Sequence, residues 1–295
     1  GYQNTPRDII FLTEEFFTPL YLLSAVFIGL GLFVVARHAV TLLPEASRPL
    51  LPGGSLLAAL FVSLPVLLCS IHFVENNQRE NYIAYDYATN TLRSLPQGAV
   101  LYTWGDSGAF PLWYLQGVEK MRDDLDLVHT PHLVFDWYLD GFPGIFAGSG
   151  VRNIPEGARS AEEMMMVTMY EQGRRRPVYV DFSTRYSIQF DRLVLQQRGI
   201  VYSVEQVGGP LRLPEVSIWS KYNARGLYGD PMAFRDLDTG KAMLIYANAH
   251  LEQGETLLRM GRPEEGLSEL RAGVATSPEV REQAAAIAAS HGLSL

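Results

Sequence analysis

The sequence has a single cysteine in 295 residues, so no disulfide can form within the chain. Cys69 lies inside an apolar run, which leaves the redox compartment open. Basic charge is also scarce: 24 Lys and Arg stand against 32 Asp and Glu, for a net charge of −8. That balance excludes a general affinity for nucleic acid. No basic run is longer than Arg174-Arg175-Arg176, which reads as a solvated surface before a strand. His, Cys, Asp and Glu nowhere cluster at metal-ligand spacing, so no metal and no cofactor is expected. The first residue is Gly1 rather than Met, and no basic-then-apolar signal segment follows it. "GYQNTPRDIIF" reads as the middle of a longer polypeptide, and a processed N-terminus is the alternative.

Apolar sequence is what the chain does have. Hydrophobic residues make up 47% and charged ones 19%. Residues 16–36 carry no charge, and residues 55–74 hold only His72 as a titratable group. A helix needs about 20 apolar residues to cross a bilayer, so both runs read as membrane spans. Pro65 should kink the second span, while Gly29 and Gly31 allow close helix approach at the first. The connection, 37–54, carries Arg37 and Arg48 against Glu45, and residues 1–15 carry Arg7 against Asp8, Glu14 and Glu15. Lys and Arg favour the cytoplasmic side, so both chain ends are expected outside.

From residue 75 the pattern changes, and residues 75–240 read as an extracytoplasmic α/β domain. An entry helix (75–93) leads to a β-prone run at 99–104, a turn, a helix, and a second β run at 124–130. That is a βαβ unit. A second unit is expected from a strand at 176–183, a helix over 186–199 and a strand at 200–206. Together they predict a small, doubly wound, mostly parallel sheet over about 95–220. Residues 139–157, rich in Gly and Pro, read as a loop. In the tail, 241–295, Gly254, Leu257, Gly261, Gly266, Leu270, Gly273 and Pro278 have the spacing of a tetratricopeptide-like helical hairpin, with a capping helix over 279–290. One such repeat cannot bury its own apolar face, so it must pack on the α/β domain or on a partner. Leu257, Leu270 and Val274 are the candidate partner-binding residues.

The turn after the first strand is Gly105-Asp106-Ser107-Gly108, which invites a serine-nucleophile reading. The chymotrypsin order needs His and Asp upstream, but His38 and His72 border the apolar spans. The nucleophile elbow needs glycine at 109, where alanine stands. A GDS-type esterase would need Asp-x-x-His near the C-terminus. Asp126-x-x-His129 has that spacing, only about twenty residues on, and no Gly-x-Asn-Asp accompanies it. The remaining readings are a helix cap by Asp106 or Ser107, and a ligand edge at the carboxyl end of a parallel strand. On the second reading Asp106 and Ser107 bond ligand hydroxyls, and Trp104 and Trp113 offer stacking faces. His129 and His132 flank Pro131 on the same edge, where a structural role is favoured. Glu14 and Glu15, adjacent on a helix, point different ways and make a poor acid–base pair.

The block around this turn resembles a known family. The shared order is Pro96, a strand, Gly105-Asp106, "LWYLQGVE", Arg122-Asp-Asp through Val128, and Asp136-Trp137-Tyr138. "TPRDIIFL" before the first apolar run is similar to that family's entry to a late span. The family comprises multi-span membrane proteins from bacteria, long filed as a domain of unknown function, together with an endoplasmic-reticulum protein O-mannosyltransferase. The resemblance implies late spans and an external domain of a glycosyltransferase, in the bacterial inner membrane with that domain in the periplasm. It implies a polyprenyl-phosphate sugar as donor and a protein or glycan acceptor. It also implies a catalytic carboxylate in an early external loop, outside this chain, so no catalytic residue is assigned. Arg7 is placed to meet a lipid phosphate, and a snorkelling or salt-bridged arginine is the plainer account of it. Two other functions compete with the transferase: a non-catalytic membrane scaffold docking a partner through the tail, and an anchored esterase using Ser107.

Overall fold

The structure, a computed structural model, describes residues 17–42, 62–63, 65–77, 79–187, 193–206, 214–225 and 237–295. The chain divides into two units, Gly1–Val74 and Glu75–Leu295. In the first, α1 (Thr18–Leu42) is a 25-residue helix with no acidic or basic residue in its end turns. Its stretch Thr18–Val35 is long and apolar enough to cross a membrane. The helix extends past the expected end at 36, because Ala39 to Leu42 continue an apolar, helix-compatible run beyond Arg37 and His38. Of the second expected span, residues 62–63 and 65–71 are helical, and the rest of 55–64 lies outside the described residues. Arg7, Glu14 and Glu15 also lie outside them.

The second unit is built on a five-stranded sheet. Its elements begin with α2 (Ile83–Ser94), β1 (Val100–Thr103), α3 (Asp106–Gly117), β2 (Asp126–His129), α4 (Ala161–Gln172) and β3 (Val178–Asp181). They continue with α5 (Phe182–Ser187), β4 (Leu193–Arg198), β5 (Val201–Gln206), α6 (Leu237–Arg259), α7 (Pro263–Thr276) and α8 (Arg281–Ser290). The strand order is β2-β1-β3-β5-β4. β1 runs parallel to both β2 and β3. β5 pairs antiparallel with β3 and β4.

The sheet is therefore mixed, and of the expected helix over 186–199, residues 193–198 form a strand, while 188–192 lie outside the described residues. The cause is local. Arg198 pairs with Val201, so Gly199-Ile200 is a two-residue hairpin loop. Gly199 alone of the pair takes a positive φ, +63°, as a type II′ turn requires. A Cβ at Gly199 would stand 2.1 Å from the Tyr222 hydroxyl, so the position also has no room for a side chain. The β-branched and aliphatic run Leu193-Val194-Leu195 then pairs outward from the turn rather than winding.

Both faces of the sheet are covered. Leu101, Leu127, Tyr179 and Val201 pack with Tyr87 and Leu92 of α2, Leu112 and Leu115 of α3, and Met243 and Tyr246 of α6. The alternate residues Val100, Tyr102, Val128, Val178 and Val180 pack with Met164, Met165 and Met169 of α4 and with Leu139, Phe146 and Val151. Strands buried on both faces explain the near-continuous apolar runs. The expected loop over 139–157 contains short helical turns, at Pro143–Phe146 and Gly150–Asn153.

The tail is not separate from the sheet domain. α6 starts at Leu237, so the expected boundary at 240 falls inside a helix. Tyr246 Oη receives a hydrogen bond from Asn90 Nδ2 at 2.7 Å, and Gln197 Nε2 donates to the Ala249 carbonyl at 2.6 Å. α6 and α7 lie antiparallel and very close. A Cβ on Gly273 would meet Leu251 Cδ1 at 2.4 Å and the Ala247 carbonyl at 2.9 Å, and one on Gly254 would meet the Gly266 carbonyl at 2.9 Å. His250 Nδ1 and Glu269 Oε2, both buried, pair across this interface at 2.7 Å. Leu257 and Leu270 are fully buried and Val274 half-buried. The expected partner groove is corrected on that point, since these leucines fill the interior of the unit.

Candidate functional site

β1 leads through α3 on one face of the sheet to β2, and the chain returns through α4 on the other face to β3. The chain thus departs in opposite directions around β1, which makes the carboxyl ends of β1 and β3 a topological switch point, where open α/β sheets form ligand crevices. Gly105-Asp106-Ser107-Gly108 follows β1, and Asp181 ends β3. The helix-cap reading of the first turn is corrected: Gly105 is the N-cap, in extended conformation and with no side-chain cap, and Asp106 is already the first helical residue.

Freed from capping, Asp106 reaches sideways. Its Oδ1 lies 3.3 Å from Nε2 of His129, the last residue of β2, and its side chain is 72% exposed while that of His129 is 2% exposed. His129 Nδ1 lies 3.2 Å from the Thr103 hydroxyl. Burial, then the neighbouring His132, lower the His129 pKa, and Asp106 pulls the other way. The imidazole is thus neutral at pH 7. The consistent tautomer has Nε2–H donating to Asp106 and Thr103 O–H donating to Nδ1. Both ring nitrogens are engaged by these two partners, so neither serves Ser107 as the esterase reading needs.

Around this pair stands an aromatic rim. The His132 ring is 4.8 Å from His129 and stacks on Trp113 at 6.0 Å, with Trp137 at 5.8 Å on another side. Phe110 packs on Trp113 at 5.4 Å, and Phe135 stacks on Trp137 at 6.1 Å. Phe110, Phe135 and Trp137 are exposed. Trp104, expected as a stacking face, is half-buried beside the turn.

The glycines of the turn have distinct reasons. A Cβ on Gly108 would stand 3.1 Å from Asp181 Oδ2 and 3.5 Å from the Tyr87 hydroxyl. Asp181 is wholly buried. Its Oδ1 accepts the Thr184 N–H at 2.8 Å, and its Oδ2 has no hydrogen-bond partner among the described residues. Burial pushes its pKa up to about 6, against the opposing pull of Thr184 and of the Trp104 N–H. Sequence reasoning missed Asp181, although an acidic residue ending a strand that reads as parallel was a usable signal. Tyr87 comes from α2 and had no sequence signal. Among the described residues no group of three or more His, Cys, Asp or Glu could hold a metal ion.

The segment that carries this geometry is similar to known proteins. Residues 84–205 match the family described as TMEM260-associated domain 2. The chain is 33% identical over 133 residues to the mouse protein O-mannosyl-transferase TMEM260, covering 43% of this chain and 18% of that relative. The chain is related to that family. It spans less than a fifth of the length of that curated relative. No solved structure matches.

The resembling residues then divide by role. Arg122, at φ +58°, donates to the carbonyls of Leu92 (2.6 Å), Leu95 (3.0 Å) and Pro96 (3.1 Å), clipping the end of α2. It also holds Asp124 at 2.7 Å, which keeps that carboxyl well below the usual range. Asp136 pairs with the buried Arg159 at 2.7 Å. The Tyr138 hydroxyl accepts the backbone N–H of His129 at 2.6 Å. These residues are structural supports. Asp106, His132 and Trp137 are the ones presented at the edge.

Proposed function

We propose that this chain supplies late membrane segments and an external acceptor-recognition domain to a glycosyltransferase of the protein O-mannosyltransferase type. The donor in this reading is a sugar on a polyprenyl-phosphate carrier, and the acceptor is a protein or glycan. The observation that carries it is Asp106, an exposed carboxylate oriented by a neutral His129 and ringed by aromatic faces, inside the segment related to that family. Carboxylates accept hydrogen bonds from hydroxyl groups, and exposed rings pack on the apolar faces of sugars and peptides. The bilayer, through α1 and the apolar run after it, is the second partner. The domain faces the periplasm or an equivalent external space, in a bacterial inner membrane on the reading of the resemblance. Arg7 is a proposed contact to the carrier phosphate, and the α6–α7 hairpin, repeat-like in its glycine spacing, buttresses the domain.

The test is transfer of labelled mannose from polyprenyl-phosphate mannose to an acceptor polypeptide by the full-length protein in its membrane. Replacing Asp106→Ala or Trp137→Ala should raise the acceptor KM about tenfold, the equivalent of one lost charge-assisted hydrogen bond or ring contact. The donor KM should not move. Absence of transfer by the native protein, or an acceptor KM unchanged in both variants, overturns the reading.

A further inference from the structure

A different set of side chains meets Gly105–Gly108 from the direction of α2 and α6. They enclose a cavity of about 410 Å³ whose polar wall includes Asn81, Tyr87, Ser107, Ser183, Thr239 and Lys241. The volume lies within the roughly 300–1,000 Å³ typical of small-molecule sites. Ser183 follows β3 and Ser107 follows β1, so the cavity opens in the crevice of the switch point itself. His129, His132 and Trp137 take no part in its wall.

We propose that this cavity binds a neutral hexopyranose residue. Charge argues against an anion: the lining carries one ammonium, Lys241, and one exposed carboxylate, Asp106. Hydroxyl, amide, ammonium and carboxylate together both donate and accept hydrogen bonds, as the hydroxyls of a sugar do. Phe110, 52% exposed, and Ile245 supply an apolar face for the C–H side of the ring. The deciding group is Tyr87. Tyr87 lines the cavity, and its buried hydroxyl, beside Gly108 and drawn on by Thr91 of the same helix, has no close hydrogen-bond partner among the described residues. A buried hydroxyl left unpaired is unfavourable, and a ligand hydroxyl entering the cavity relieves that.

The sugar can arrive on the acceptor or on the lipid donor, and mannose as the probe rests on the function proposed above. The experiment is saturation-transfer NMR of methyl α-D-mannopyranoside on the full-length protein in nanodiscs, a readout that needs no transfer activity. Tyr87→Phe should weaken binding about tenfold while leaving the thermal midpoint unchanged or raised, because the hydroxyl it removes has no close partner among the described residues. Ala84→Trp, at an exposed position on the cavity wall, should abolish the signal. Competition by a mannosylated peptide identifies the acceptor as the source, and competition by polyprenyl-phosphate mannose identifies the donor. The proposal is overturned by no saturable signal, by binding unchanged in both variants, by displacement with inorganic phosphate, or by a lowered midpoint in Tyr87→Phe. Sugar binding without any transfer would sustain the cavity and overturn only the transferase reading.

Discussion

Asp181→Asn should stabilise the protein at neutral pH and flatten its pH dependence. Asp181 is buried at the end of β3, its Oδ2 has no hydrogen-bond partner among the described residues, and burial raises its pKa from 3.8 to about 6. A carboxyl whose folded pKa lies above its unfolded value binds its proton more tightly in the native state. Stability is therefore highest below 3.8 and falls as pH rises through about 6. The movement from 3.8 to about 6 corresponds to about 3 kcal/mol, fully lost above the folded pKa. Roughly 1.4 kcal/mol of that falls between about pH 5 and pH 8, the range accessible to an intact membrane protein. Asparagine keeps an oxygen for the Thr184 N–H and places an uncharged amide where Oδ2 stands. The assay is thermal or denaturant unfolding of wild type and variant in the same nanodiscs across that range. The difference between the two should grow with pH, in favour of the variant. A constant difference, or a variant that is less stable at pH 8 than at pH 5 relative to wild type, would refute the argument that Asp181 is ionised at a cost.

Two further perturbations test the packing that holds the site. Gly273→Ala should destabilise by about 1–3 kcal/mol, since its Cβ falls 2.9 Å from the Ala247 carbonyl and the helices must part; chemical denaturation reads it, and a change near zero would mean that α6 and α7 are less close than described. Arg122→Ala should cost about 2 kcal/mol by freeing three carbonyls at the end of α2, and hydrogen exchange at Leu92–Ala99 should rise with it.

What could be read before folding was local. The βαβ unit from β1 to β2 was legible because its strands are short apolar runs and Gly105-Asp106 marks a strand-to-helix corner. The hairpin of β4 and β5 was not: Leu193-Val194-Leu195 fits a helix or a strand, and the choice depends on Gly199, a turn whose room is set by Tyr222 from another part of the chain. Asp106 stands out in the sequence and His129 reads as lying on the same edge, but nothing in the sequence pairs the two side chains directly. Asp181 carries only the signal of an acidic residue ending a strand, while Tyr87 and Lys241 carry none.

The sequence by itself determined the long apolar helix, the α/β character of the second unit and the glycine spacing of the tail, because each depends on the periodicity of neighbouring residues. Tertiary structure alone decided that the sheet is mixed, that Leu257 and Leu270 face inward, and that Asp106 turns to His129 instead of capping its helix. It also decided that Asp181 and Tyr87 are buried beneath Gly108. Those outcomes depend on which distant segments come within a few ångströms of one another, and burial and partner choice are properties of that proximity rather than of any local run of residues.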